Sequence, residues 1–158
     1  MENRVFYEDE RLRVVGTGAV LFGVWRDAPQ MAQMRSLARA GELHRDALPA
    51  GDKQAYINVV LDGTPNFSDE VRAEAALLAR RAAGWRSATA HVVLVSGLRG
   101  LTVRTFMSTF LLLGRPAVPT KVFSAMEPAA RWLLPLLRAP TWNEALLLAT
   151  FRAAQTTR

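Results

Sequence analysis

The alternation of short apolar strands with longer helical segments constrains the fold of this chain more than any other feature. Two or three β-like runs lie within residues 4–25, and further apolar strands are predicted at residues 56–61, 92–95 and 121–123. Between these runs, apolar residues recur every three or four positions, as they do on one face of a helix. Strands that alternate with helices in this way are typical of an α/β domain with a mixed, mostly parallel sheet.

The positions of the strands set the predicted domain boundaries. Residues 1–137 contain every predicted strand, and we expect them to form one α/β domain. Residues 138–158 contain none and are predicted to form a C-terminal helical extension. Pro135 is expected to kink or end the helix that contains it. Helical stripes run over residues 31–41, 71–82, 103–113, 125–137 and 142–155.

The net charge of +6 is confined to the last part of the chain. Residues 1–98 carry twelve basic and twelve acidic side chains, whereas residues 99–158 carry eight basic and two acidic ones. The eight basic residues are spaced singly, without the run of basic residues that is typical of a nucleic-acid or membrane-surface tract. Nucleic acid is therefore an unfavoured partner, and weak nucleic-acid binding is the last of three candidate functions.

Composition excludes several kinds of chemistry. The chain has no cysteine, so disulfides, thiolate metal sites, iron–sulfur clusters and cysteine nucleophiles are ruled out. No apolar stretch reaches the length of about 20 residues that a bilayer span needs. The first ten residues are charged and do not resemble an export signal. We therefore expect a cytoplasmic protein with no membrane insertion, no cofactor and no metal.

Three short segments share a recognisable pattern of strand ends and helix starts. Residues 58–62 end a strand at Asp62, and Ser68 opens the next helix. Residues 91–96 form another strand, and residues 121–133 combine a strand, a short turn and a Glu-x-Ala-x-x-Trp-Leu helix. Together they resemble the STAS-like fold of sporulation anti-sigma-factor antagonists and of the wider STAS/SEC14-type small bacterial proteins. The resemblance covers roughly residues 4–134 and implies a STAS-like α/β fold and a regulatory, protein-binding role.

The turn after the strand at residues 56–61 contains the candidate phospho-switch residues Asp62, Thr64 and Ser68. By the resemblance, Ser68 would be phosphorylated at a helix start, where the phosphate would meet the positive end of the helix dipole. The alternative is a plain helix N-cap, which requires no kinase. Only five residues separate Asp62 from Ser68, and the paired serine and the glycine of the STAS switch segment are missing.

A glycine-containing segment is the candidate anion-binding site. It follows a predicted strand and precedes a predicted helix, where backbone N–H groups can meet an anion. The Gly-Lys-Ser/Thr ending of a Walker loop is missing, and an ordinary glycine turn is the alternative interpretation. The candidate residues are Ser96, Gly97, Arg99, Gly100 and Arg104.

No catalytic constellation is visible in the sequence. The two histidines, His44 and His91, lie 47 positions apart and show no metal-ligand spacing. We expect His44 near a helix C-terminus and His91 at the edge of a strand. A Gly-x-Ser-x-Gly nucleophile elbow is also missing. The sequence therefore predicts a protein that is not an enzyme and has no catalytic residues.

The C-terminal third is rich in tryptophan, leucine and arginine, and aromatic residues and arginine are enriched at interface hot spots. One interpretation is a partner-binding or homo-oligomer surface, and the other is a helix that packs back on the sheet and completes the core. Three consecutive leucines at residues 146–148 point in three directions around a helix. This pattern predicts that the helix is packed against other elements on more than one side. The candidate residues are Arg131, Trp132, Trp142, Leu146 and Phe151.

The favoured hypothesis from sequence is a non-enzymatic regulatory or protein-interaction module. It would bind another protein, so far unidentified, through loops at the sheet ends and through the C-terminal third. The alternative is a small-ligand or phosphate-binding module that uses the segment at residues 96–100.

Overall fold

The computed structural model describes residues 2–62, 68–137 and 141–156. They form a mixed α/β fold with a single six-stranded sheet, which confirms the predicted fold class. The strands are β1 (Arg4–Glu8), β2 (Leu12–Thr17), β3 (Val20–Trp25), β4 (Gln54–Val60), β5 (Arg86–Val93) and β6 (Thr120–Phe123).

The strands lie in the sheet in the same order as in the chain. The first three are antiparallel, and β3 to β6 are parallel. Each parallel pair needs a helical crossover, and crossovers of one hand along one direction place their helices on the same face. The helices are α1 (Met31–Asp46), α2 (Asp69–Ala82), α3 (Gly97–Gly114), α4 (Met126–Leu133) and α5 (Glu144–Gln155).

The two faces of the sheet are covered by different helices. The face under α4 and α5 carries only apolar side chains along the central strands, such as Ile57 and Val92. We call it the closed face, because Leu133, Leu147 and their neighbours pack against it with almost no exposure. The opposite face lies under α1, α2 and α3, and we call it the open face.

The C-terminal segment belongs to the core of the closed face. Helix α5 packs against β2, β3 and α4. Its residues Leu147, Phe151 and Ala154 join the same buried cluster as Phe22 and Ile57. The segment predicted as an extension after residue 137 therefore supplies core to the sheet.

Several predicted element ends shift in the structure. Helix α4 ends at Leu133, and a 3-10 turn over Leu134–Leu136 follows it. The helix therefore ends just before Pro135, as expected for a proline inside a helical stripe. Asn143 caps α5 by accepting a hydrogen bond from the backbone N–H of Leu146 at 2.9 Å, so this helix begins two residues after the predicted start. Strand β5 begins at Arg86, six residues before the predicted start, because its first half alternates polar and small residues.

Helix α3 is apolar and largely exposed. Only Gly100 and Val103 are buried along its length, whereas Leu98, Leu112 and Leu113 are each about four-fifths exposed. No helix in the described ranges is long and apolar enough to cross a membrane.

Candidate functional site

A cavity of about 570 Å³ lies on the open face, between α2 and α3. Helix α2 packs sideways against α1, and α3 packs over β6 and β5. The two helices therefore leave the middle of the sheet, over β4 and β5, incompletely covered. The volume falls within the range of about 300–1,000 Å³ that is usual for small-molecule sites.

The walls of the cavity are apolar side chains from three helices. On α3, Phe106 and Phe110 stand one turn apart with parallel rings, and their centroids are 6.4 Å apart. The opposite wall is formed by small residues on α2, such as Ala75 and Ala79, which leave space in front of the two phenylalanine rings. The remaining apolar wall residues include Leu37, Leu78, Met107 and Leu111.

The floor of the cavity is a hydrogen-bonded polar group of side chains on three adjacent strands. The Asn58 Oδ1 accepts hydrogen bonds from Trp25 Nε1 at 2.8 Å and from the Tyr56 hydroxyl at 3.1 Å. The Asn58 Nδ2 lies 3.1 Å from His91 Nδ1. Because an amide nitrogen only donates, His91 Nδ1 must be the acceptor and its proton must reside on Nε2.

The titratable groups of the floor are held neutral at physiological pH. Burial lowers the pKa of His91 to about 4, and the charge of Arg86 lowers it further in the same direction. Burial also raises the pKa of Tyr56 to about 12. The floor therefore offers neutral hydrogen-bonding groups, and Arg86 supplies its charge.

Arg86 stands at the end of the floor formed by the amino ends of β4 and β5. Its guanidinium carbon lies 4.7 Å from the centroid of the Tyr56 ring and 5.3 Å from that of Trp85. One terminal nitrogen reaches Gln54 Oε1 at 3.4 Å, and the buried Nε has no hydrogen-bond partner within the described part of the chain. Burial lowers the pKa of Arg86 to about 10, so the group stays charged at neutral pH.

A register shift in the sheet directs Arg86 to the open face. Gln54 pairs with Arg86, but the next residue, Ala55, pairs with Ala88, so β5 contains one additional residue at this point. An additional residue in a strand re-aims a side chain and is frequent beside functional sites.

A glycine on β3 makes room for the floor. A Cβ atom at Gly23 would lie 2.5 Å from the Tyr56 hydroxyl oxygen, which is closer than real contacts allow. The absence of a side chain at Gly23 therefore lets the Tyr56 ring lie across β3 and reach Asn58.

Two of the phospho-switch candidates, Asp62 and Ser68, lie at the opposite end of the sheet from Arg86. Ser68 is the N-cap of α2, and its hydroxyl accepts a hydrogen bond from the Val71 N–H at 3.4 Å. Asp62 follows β4, is exposed and lines the rim of the cavity. Thr64 lies outside the described residues. The capping geometry accounts for Ser68, and phosphorylation there stays a prediction.

The glycine-containing segment is the first turn of α3 and not the predicted loop. Gly97 has a φ of +65°, which favours glycine, and the helix continues from it through Arg99. A Cβ at Gly100 would overlap the Val95 carbonyl oxygen at 1.7 Å, so the helix start packs directly on the end of β5.

Arg104 also faces that strand end. Its Nη1 donates to the carbonyl oxygens of Val93 and Val95 at 3.5 and 3.4 Å. Ser96 is the N-cap residue of α3 but makes no side-chain cap hydrogen bond. The geometry explains Gly97, Gly100 and Arg104 by packing, and anion binding at this segment stays a prediction.

The partner-binding candidates do not form one exposed patch. Trp142 and Phe151 are buried in the core of the closed face. Trp132 and Leu146 are half-buried against that core, and the Trp132 ring lies 5.5 Å from the Phe123 ring. Arg131 is exposed. Packing on the sheet, which was one of the two interpretations from sequence, accounts for most of these residues.

The structure confirms His44 near a helix C-terminus, in the last turn of α1, but places His91 differently from the sequence expectation. His91 lies well inside β5 and not at the start of a strand. His44 is buried, with Nε2 2.9 Å from the Gly18 carbonyl oxygen and Nδ1 2.7 Å from Gln54 Nε2. Burial lowers the pKa of His44, so it connects α1 to the sheet as a neutral ring.

Sequence reasoning missed the floor of the cavity. Tyr56 and Asn58 alternate with apolar residues on β4, and Thr89 and His91 do so on β5. That period of two was the available signal for a polar patch on one face of the sheet. No group of three histidine or carboxylate side chains in the described ranges is placed to hold a metal ion.

Comparisons of the chain with protein-family models, with curated proteins and with solved structures find no match.

Proposed function

We propose that this protein is a non-enzymatic binding module for a small, mainly apolar molecule, which it takes up in the cavity between α2 and α3. The observation that carries the proposal is the combination of apolar walls with a polar floor in a cavity of about 570 Å³. Ligand sites are commonly apolar, with a few polar groups that fix the orientation of the ligand.

The cost of leaving this face uncovered supports the proposal. A domain of this size can cover a sheet with helices, as α4 and α5 do on the closed face. On the open face, Phe106, Phe110 and Leu78 stand around a space that no side chain of the described residues fills. Filling that space with a ligand would remove their apolar surface from water and stabilise the fold by mass action.

This proposal places ligand binding away from residues 96–100, where the sequence suggested it. The STAS-like regulatory role remains compatible with it, since a bound molecule can control a partner-binding surface. That role, the identity of any protein partner and a cytoplasmic location stay predictions.

The proposal is tested with N-phenylnaphthylamine, an uncharged apolar dye whose fluorescence rises in dry pockets. We expect saturable binding at one site per chain, with a micromolar dissociation constant. Ala79→Trp adds bulk on the cavity wall and should weaken binding at least about tenfold, which corresponds to roughly 1.4 kcal/mol.

Ala73→Trp is the matched control, because Ala73 is exposed on the same helix and does not line the cavity. It should leave the dissociation constant within about twofold of wild type. Absence of saturable dye binding, or equal losses in Ala73→Trp and Ala79→Trp, would overturn the proposed function.

The second candidate function is the interaction module favoured by sequence, with a different contact surface. The specific observation is the exposure of Leu98, Leu101, Leu112 and Leu113 on α3, a helix without a single acidic residue. A second copy of the chain could cover these leucines. Sedimentation across a hundredfold concentration range tests this, and a mass that stays monomeric throughout would argue against it.

A further inference from the structure

We propose that the ligand of this cavity is an acidic amphiphile whose anionic head binds Arg86 and whose apolar body lies between α2 and α3. The inference rests on the proposed function and adds the chemical class and the orientation of the ligand. Its basis is the geometry around Arg86 and the distribution of charge along the cavity.

The surroundings of Arg86 are suited to an anion, but the described residues place no carboxylate beside it. Among the described residues, no carboxylate lies within ion-pair distance of it. Its guanidinium is held over the faces of Tyr56 and Trp85, and the same residues offer its Nε no hydrogen-bond partner. A half-buried cation with an unused donor is costly, and a charge-assisted hydrogen bond from a ligand oxygen would offset that cost.

The carboxylates that line the cavity are engaged or distant. The Glu42 carboxylate pairs with the Arg39 guanidinium at 3.7 Å, and Asp27 pairs with Arg11. Asp62 follows β4 and therefore lies at the carboxyl end of the strands, whereas Arg86 lies at the amino end. None of them neutralises the Arg86 end of the cavity.

Further basic residues surround the same end. Helix α2 runs back toward the amino end of β5, so Arg80 and Arg81 in its last turn lie on the Arg86 side. Helix α3 runs back toward the amino end of β6, which brings Arg115 to that side as well. All three are exposed and line the cavity, and they add a positive field at its mouth.

The orientation of the ligand follows from this asymmetry. An anionic head at Arg86 leaves the body of the ligand to run over Tyr56 and Asn58, between the α3 phenylalanines and the α2 alanines. The chemistry fits a carboxylate or a phosphate monoester equally, because a guanidinium binds either through two parallel N–H···O bonds.

The test compares four probes with a common ten-carbon chain, each used below its micelle concentration in isothermal titration calorimetry. The probes are decanoate, decyl phosphate, decanol and decylammonium. We expect at least one of the two anions to bind about 10–100-fold tighter than decanol, since a charge-assisted hydrogen bond is worth that factor. Decylammonium should bind more weakly than decanol.

Arg86→Gln should bring the dissociation constant of the preferred anion to within about threefold of that of decanol, while leaving decanol itself unchanged. Arg86→Lys should keep part of the preference, because the charge stays but the paired N–H geometry is lost. Arg152→Gln, a change at an exposed arginine on α5 that does not line the cavity, is the matched control and should leave all four constants unchanged.

The outcomes separate this inference from the proposed function. If N-phenylnaphthylamine binds the wild type but the anions bind no tighter than decanol, the cavity is a ligand site and the Arg86 inference is wrong. The inference is also wrong if Arg86→Gln weakens decanol and the anions equally while the melting temperature is kept. If neither the dye nor any ten-carbon probe binds, both proposals fail.

Discussion

The two faces of the sheet belong to the same strands, but helices cover one face completely and the other only in part. On the closed face, Ile57, Val59 and Val92 meet α4 and α5 in a core that excludes water. On the open face, the alternating residues Asn58 and His91 are polar and hydrogen-bonded to one another. Because neighbouring residues of a strand point to opposite faces, one set of strands can carry an apolar structural face and a polar binding face.

The comparison teaches where sequence changes should act on stability and where they should act on binding. A close-packed core loses free energy when atoms are removed, because its surroundings relax only partly. A partly covered polar floor responds mainly through unpaired hydrogen bonds and through charge.

The largest expected effect is on the closed face. Leu147 on α5 is fully buried, and Leu147→Ala should lower the free energy of unfolding by about 3 kcal/mol through lost contacts and a cavity. Urea denaturation measures it, and dye binding to the folded variant should keep the wild-type constant. A loss below about 1 kcal/mol would show that α5 does not complete this core.

A comparable effect is expected from pH on the open face. The folded-state pKa of His91 is about 4 and its unfolded value is 6.5, so the unfolded chain binds more protons between these values. Stability is therefore full above pH 6.5 and declines as the pH falls toward 4, by at most about 3 kcal/mol. The lowered pKa of His44 acts in the same direction.

His91→Gln should remove the larger part of this decline in urea titrations at pH 4.5 and 7. An unchanged decline in this variant would contradict the burial of His91.

The carboxyl of Asp9 affects stability in a separate pH range. Burial alone would raise its pKa, but hydrogen bonds from Gln33, Tyr7 and two backbone N–H groups outweigh burial and lower the pKa to about 2. Its contribution is lost only as the pH falls from 3.8 toward 2.

A smaller effect is expected from breaking the floor network. Asn58→Ala leaves the donors of Trp25 and Tyr56 and the acceptor of His91 without their shared partner. The free energy of unfolding should fall by about 2 kcal/mol, since unsatisfied half-buried groups are costly. Thermal unfolding checks this, with Asn143→Ala, which removes only the α5 cap, as a reference of about 1 kcal/mol.

The smallest effect on stability is expected from the exposed part of α3. Leu112→Ser changes a side chain that is 79% exposed, so the free energy of unfolding should stay within about 0.5 kcal/mol of wild type. If a second copy covers this helix, the same variant should instead lower the apparent association constant in sedimentation. A loss of stability without any change in association would show that α3 is packed within one chain.

The sequence predicted the elements of the fold well because each rests on local patterning. The order of strands and helices follows from apolar runs such as residues 56–61, and the N-cap at Ser68 follows from residue type alone. Local patterning misjudged β5, where small and polar residues concealed a central strand. It also misjudged the first turn of α3, where Gly97 and Gly100 suggested a loop.

The candidate site was beyond the reach of local patterning because its members are distant in the chain. Trp25, Asn58 and His91 come from three strands that meet only in the sheet. Arg86 faces them because a register shift turns it to the open face, and such a shift depends on how two strands pair.

The sequence by itself determined the α/β class, the alternation of strands and helices and the segregation of positive charge toward the C-terminal part. The tertiary structure decided which residues cover which face, that α5 completes the closed core and that α2 and α3 stand apart. The physical reason is that periodicity specifies which side of an element is apolar, whereas the space between two helices depends on the crossovers that place them and on the side chains that meet there.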